Sequence, residues 1–191
     1  MTRSRLRTPA VVPRPPVPAV PWADDPARQV VAHFEQVWAT SMHDMPFVNP
    51  ALAVEAVGFQ RVSGDWLGIV ITPWFINVFL LPGGGCLWVD TPSGEQRGVL
   101  LPVGNMAFIA DNPGAPALLP AYQYCPLLAP VQQVADPAQA RLIAEDALAT
   151  VLGPQPPTAP EATVVRTPEN DAEVTSPARR GFLRALAPRR V

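Results

Sequence analysis

Apolar residues follow three patterns along the chain. Val30, Phe34, Val37 and Trp38 fall at i, i+4, i+7 and i+8, one stripe of a helix. Asp25 offers an N-cap, and Pro26 suits the first helical position, where a missing N–H leaves no bond unmade. The stripe predicts a helix over about 26–42, because Met45-Pro46 and Asn49-Pro50 push the residue before each proline out of helical backbone. From about 53 to 128 the helical period is lost. The runs VEAVGFQRV, WLGIVIT, FINVFLLP, CLWV, RGVLLPV, NMAFIA and AYQYCPLL are short and rich in β-branched and aromatic residues. Turn sequences separate them: Ser63-Gly64-Asp65, the glycines 83–85, Pro92-Ser93-Gly94 and a proline-rich loop at 111–120. This is the pattern of an antiparallel sheet. No helix-length segment lies between the runs, which argues against parallel βαβ units.

A second helix is predicted over about 137–152. Asp136 caps it, Pro137 occupies the first turn, and Gln139 stands at the third helical position, close to a capping box. Leu142, Ile143, Ala147, Leu148, Val151 and Leu152 make its stripe, and Gly153-Pro154 stops it. Residues 1–21 and 154–191 show no period and are rich in Pro and Arg, so both are expected to be disordered tails. The expected fold class is α+β: an antiparallel β-sheet flanked by an N-terminal and a C-terminal helix, in a domain spanning 22–153.

Composition narrows the function. Of 191 residues, 48% are hydrophobic, enough for a core, and 26 are proline, which excludes long uninterrupted helices from much of the chain. The net charge of −2 hides a split. Residues 22–153 carry twelve acids against four arginines, a net of −8, whereas residues 1–21 carry four arginines and no acid. An acidic body argues against nucleic acid as its ligand and suits a basic partner. The longest apolar run, WLGIVITPWFINVFLLP, is broken by Pro73 and contains Asn77, so it reads as two adjacent buried strands with a Thr-Pro break and not as a membrane span. The basic start has no apolar region of a signal peptide, and the two cysteines form no CxxC pair; both features point to a cytoplasmic protein with reduced thiols.

The candidate chemistry is sparse. His43-Asp44 could make a base and its carboxylate, but neighbours on extended backbone point to opposite faces, so a helix end capped by these residues is preferred. In ITPWF, Trp74 reads equally as a core residue at a bulge or as an interface anchor. PGGG precedes a strand and no lysine exists for a P-loop, so it reads as a tight turn. Cys125 has no cation nearby in sequence, and Pro126 and Leu127 point to burial. Two Cys and two His at wide spacing give no metal signature. The residues alone describe an acidic, Trp-rich binding module.

In order and spacing, SMHDMPFVNPAL, GIVITPWFINVFLLPG, LLPVGNMAF and a late helix resemble the HybE/HupJ family of NiFe-hydrogenase assembly chaperones, over roughly residues 25–152. The resemblance implies a non-enzymatic protein that binds the immature iron–sulfur small subunit of a hydrogenase and holds or protects it before export. That precursor bears an N-terminal twin-arginine signal. Other maturation proteins, a rubredoxin among them, are further partners in the family, but without CxxC pairs this chain is expected to hold no iron and no other cofactor. Met42, His43, Asp44, Pro73, Trp74 and Phe75 lie on the segments that carry the resemblance and are the expected partner-binding residues. Near the C-terminus, ARRGFLRA at 178–185 is itself similar to a twin-arginine signal. If the body binds such signals, the segment imitates one: Arg179 and Arg180 pair with carboxylates, and Phe182 and Leu183 fill an apolar pocket. Two rivals remain at this point: an enzyme using Cys125 or His43, and a structural accessory subunit of the hydrogenase.

Overall fold

The computed structural model describes residues 18–114 and 117–153. Helix α1 spans Ala27–Val37 and continues as a π-helical turn, Trp38–Met42. Six strands follow: β1 Glu55–Val62, β2 Asp65–Ile71, β3 Ile76–Leu81, β4 Gln96–Leu101, β5 Gly104–Asp111 and β6 Tyr122–Leu128. Helix α2, Pro137–Leu152, closes the domain. The strands form one sheet in the order β1-β2-β3-β6-β5-β4, and every pairing is antiparallel.

The helix ends follow local chemistry. Asp25 Oδ1 accepts from Ala27 N at 2.9 Å just ahead of α1, but the N-cap is Pro26 and the first helical residue Ala27, one position later than the sequence suggested. Asp136 Oδ1 accepts from Gln139 N at 2.8 Å, satisfying a donor that the helix start leaves bare, and Gln139 Oε1 reaches back to accept from Ala135 N, one residue before the cap. Gly153 ends α2 at φ 65°, a backbone region that glycine enters without strain.

Strands β2 and β3 are buried at every position, which explains their unbroken apolar sequence. Alternate residues serve two cores. Leu67, Ile69, Ile71, Ile76, Val78 and Leu80 face α2, where Ala140, Ala144, Leu148 and Val151 meet them. Trp66, Val70, Phe79 and Leu81 face α1 and its Val30 and Phe34. Each fully buried Leu, Ile or Phe contributes about 1.5–3 kcal/mol. In β1, Gly58 has φ 62° and sits at the register shift between Val57 and Gln60; a Cβ there would run into Leu148.

Two expectations are corrected. The stripe of α2 is Ala140, Ala144, Leu148 and Val151; Leu142 points outward and is 65% exposed, while Ile143, Ala147 and Leu152 are only partly buried. Small residues let the helix lie close to β2, a choice that the larger side chains obscure in the sequence. CLWV is not a strand. The fully buried carboxylate of Asp65 takes its backbone instead: Oδ1 accepts from Gly83 N at 2.7 Å and Gly85 N at 3.0 Å, and Oδ2 accepts from Leu87 N and Trp88 N, both at 2.8 Å. A Cβ at Gly83 or Gly85 would strike the backbone of residues 63–65, so the glycine run is a close approach around this carboxylate.

Candidate functional site

Two segments singled out by the sequence meet on the α1 side of the sheet. Thr72, fully buried, builds the β2–β3 turn: its Oγ1 accepts from Trp74 N at 3.2 Å and Phe75 N at 2.9 Å and donates to Phe75 O at 3.1 Å. Pro73 O in this turn accepts from Asn49 N at 2.7 Å. Asn49 is buried, and its Nδ2 donates to Val131 O and Val134 O at 3.1 and 2.7 Å, which ties the 41–50 segment to the approach to α2. Trp74 stacks on Trp38, centroids 6.0 Å apart, and Trp38 in turn meets the His43 ring edge-on at 6.5 Å.

Between α1 and the β3–β6 pair lies a cleft of about 480 Å³. Its aromatic floor and wall are Phe34, Trp74, Phe75, Phe79, Tyr122 and Tyr124. Phe79 stacks against Phe75, Tyr122 and Tyr124 with centroids at 6.0, 5.2 and 6.1 Å. Three polar residues also line it: His33, Asn77 and Asp111. Asp111 Oδ2 accepts from the Tyr122 hydroxyl at 2.7 Å and Oδ1 from the Ser93 hydroxyl at 3.3 Å. Burial first, then the hydrogen bond to the Asp111 carboxylate, pushes the Tyr122 hydroxyl far above the ordinary tyrosine range. Burial lowers the His33 imidazole from its ordinary value, with Asp111 pulling the other way, so the ring is neutral near pH 7. Among the described residues, no arginine lines the cleft.

Of the expected partner-binding residues, Met42, Trp74 and Phe75 line the cleft. Pro73 carries the carbonyl that fixes the turn beside it. His43 and Asp44 lie outside the lining and mostly in solvent, with side chains 51% and 87% exposed. They do pair, His43 Nε2 to Asp44 Oδ2 at 2.9 Å, contrary to the expectation from extended backbone. His43 keeps helical backbone, φ −60° and ψ −28°, where neighbouring side chains stand about 100° apart instead of on opposite faces. Trp74 is 9% exposed and serves as both core residue and cleft wall. Arg179, Arg180, Phe182 and Leu183 lie outside the described residues. His33, Asp111 and the two tyrosines were not singled out from sequence. Asn77 had a signal, a lone amide within an apolar run.

The chain matches the model of the NiFe-hydrogenase assembly chaperone HybE over residues 25–185. It belongs to that family. The match runs past α2 and ends on the last residue of ARRGFLRA. Among curated relatives, the chain is 35% identical to the hydrogenase expression/formation protein HupJ of Bradyrhizobium diazoefficiens, across 90% of this chain and 92% of that one. It is 39% identical to the probable rubredoxin HupJ of Rhodobacter capsulatus, across 44% of this chain and 30% of that one. The solution structure of HybE from Escherichia coli superposes with a TM-score of 0.58 at 28% identity, covering 83% of this chain and 96% of that one. The HybE family is one of assembly chaperones for NiFe hydrogenase, and the six-stranded antiparallel sheet with a helix at each end is shared with its solved member.

Proposed function

We propose that this chaperone binds the precursor of the iron–sulfur small subunit of a NiFe hydrogenase, through the region of its twin-arginine signal, and holds or protects it in the cytoplasm before export. The observation that carries this reading is the cleft: the two segments most typical of the family resemblance converge on an aromatic groove whose described lining contains a carboxylate, a neutral histidine and no arginine. Such a groove suits a partner segment that mixes cations with apolar side chains. Met42, Pro73, Trp74 and Phe75 act there through the groove, and His43 and Asp44 through the adjoining surface. The relative named as a probable rubredoxin supports a rubredoxin among the further partners.

The protein acts without catalysis in this reading. Burial pushes the Cys125 thiol up, away from the thiolate that a cysteine nucleophile needs, which speaks against a thiol enzyme. The family match enclosing ARRGFLRA supports the segment as an imitation of the client signal, competing with the client for the chaperone.

The test is binding of the purified chain to the small-subunit precursor with and without its signal peptide. Loss of binding on removing the signal is expected. Equal binding of the truncated client would move recognition to the folded subunit. Deleting residues 178–191 should tighten client binding; unchanged affinity would end the imitation reading. Recovery of a stoichiometric copy with the mature hydrogenase would instead make the chain an accessory subunit.

A further inference from the structure

The polar groups of the cleft lie at two separate places. Asn77 is 4% exposed, and its Oδ1 is the one buried side-chain polar atom without a hydrogen-bond partner among the described residues. A bare buried acceptor is rare in folded proteins, and one that lines a cleft is placed to take an N–H from what enters it. Asp111 stands elsewhere along the groove. In the sheet register Asp111 pairs with Tyr122 and Asn77 with Pro126, on the two sides of β6. Four residues of strand separate those positions, about 13 Å at 3.3 Å per residue. Phe79 and Tyr124, paired across β3 and β6, form the apolar floor between them.

This layout selects a ligand. Among the described residues the Asp111 carboxylate accepts from two neutral hydroxyls, Tyr122 and Ser93, and from no cation, so its charge is uncompensated there. An apolar group placed there would bury that charge unpaired, and an anion would be repelled. A guanidinium is planar, stacks on tyrosine faces and still donates to a carboxylate; an ammonium has no such face. The neutral His33 adds no opposing charge. At the other end, Asn77 Oδ1 accepts one N–H. Two strand spacings across β6, about 10 Å, add to the roughly 13 Å along it, so the sites lie about 16 Å apart and an extended peptide reaches both with about five residues.

We propose that the cleft binds an extended peptide segment in a fixed polarity, with an arginine side chain at Asp111, an apolar side chain two to three residues away on Phe79 and Tyr124, and a peptide N–H on Asn77 Oδ1. This rests on the reading of the cleft as the client-binding surface and names what that surface recognises: the spacing between arginine and apolar residue, and not arginine alone.

The probe is a synthetic peptide ARRGFLRA, titrated calorimetrically into the full chain. Its companions are a version with citrulline, the neutral isostere, at both positions of the Arg pair, and a version of the same composition with the Phe-Leu pair moved ahead of the arginines. Both changes are expected to weaken binding roughly tenfold or more, as is Asp111→Asn for the parent peptide. The citrulline peptide should not distinguish Asp111→Asn from the parent chain. Asn77→Leu should also weaken binding while keeping or raising thermal stability, because it removes a bare buried acceptor; that pairing separates a lost contact from a damaged fold. Equal binding of parent, citrulline and reordered peptides, or full affinity in Asp111→Asn and Asn77→Leu, would overturn the proposal. Precursor binding measured alongside keeps the two readings apart. A precursor that binds while the peptides show no charge or order dependence removes this inference and leaves the client reading standing. A charge- and order-dependent peptide with no precursor binding does the reverse.

Discussion

Trp38 lies flat on Trp74, with ring centroids 6.0 Å apart and planes 8° from parallel. One ring comes from the π-helical turn after α1, the other from the Thr-Pro turn between β2 and β3. The stack therefore joins the helix to the central hairpin at the wall of the cleft. Phe34 reinforces it, meeting Trp74 at 6.4 Å and Phe75 at 5.4 Å.

Removing the two rings should have unequal effects. Trp74 is 9% exposed, so Trp74→Ala is expected to lose about 3–5 kcal/mol through an unfilled core volume. Trp38 is half-buried, and Trp38→Leu should lose about 1–2 kcal/mol, mostly the stacked contact. Urea unfolding followed by circular dichroism measures both. Equal losses would mean that the stack itself, and not the burial of Trp74, holds this corner.

Asp65 should matter more to stability than any other exposed-type residue in the domain. Its carboxylate accepts four backbone N–H groups from residues 83–88. Asp65→Asn puts an NH₂ where two of those donors point. The expected loss is about 3 kcal/mol or more, since two buried N–H groups lose their acceptor. Denaturant unfolding and proteolysis near the glycine run read it out. A loss under about 1 kcal/mol would show that water replaces the carboxylate there.

That same carboxylate marks where sequence reading reached its limit. The helices were legible because their signals are local: Asp136 and Gln139 cap each other's turn within four residues. The strands β2 and β3 were legible because both faces are buried and the apolar run is unbroken. CLWV has strand composition, but the N–H groups of Leu87 and Trp88 answer to Asp65, 22 and 23 residues earlier, and no local propensity reports that. The pairing of β3 with β6, across which Asn77 faces Pro126, is likewise a long-range choice. The cleft depends on it. His33, Asn77, Asp111 and Tyr122 come from four elements, so only the two segments with unusual local sequence, 41–50 and 71–75, drew notice beforehand.

Thiol labelling separates the two cysteines. Cys86 is exposed, whereas Cys125 is partly buried with its thiol pushed up by desolvation. With a disulfide reagent near pH 7, Cys86 should react first and Cys125 roughly tenfold or more slowly than free cysteine. A Cys125 that reacted faster than free cysteine would revive the thiol-enzyme alternative.

His33 should give the domain a mild acid sensitivity of known sign. The ring is 9% exposed, meets Phe34 at 4.9 Å and Tyr122 at 6.0 Å, and is faced by one carboxylate, Asp111. Burial lowers its pKa from the ordinary 6.5, and Asp111 only partly offsets this. In the unfolded chain the imidazole takes its proton as the pH falls through about 6.5; in the folded chain it does so only at lower pH. Between those two values the unfolded state holds more protons, so stability falls as the pH drops, by at most about 1.4 kcal/mol per pH unit. Above 6.5 both states are neutral at this ring and the effect vanishes. Urea unfolding from pH 7 to pH 5 should show the decline, and His33→Phe should flatten it. The same protonation would place a positive charge beside Asp111, so an arginine peptide should bind more weakly at pH 5 than at pH 7 in the parent chain, and with less pH dependence in His33→Phe. A slope that survives the substitution would assign the titration to another group.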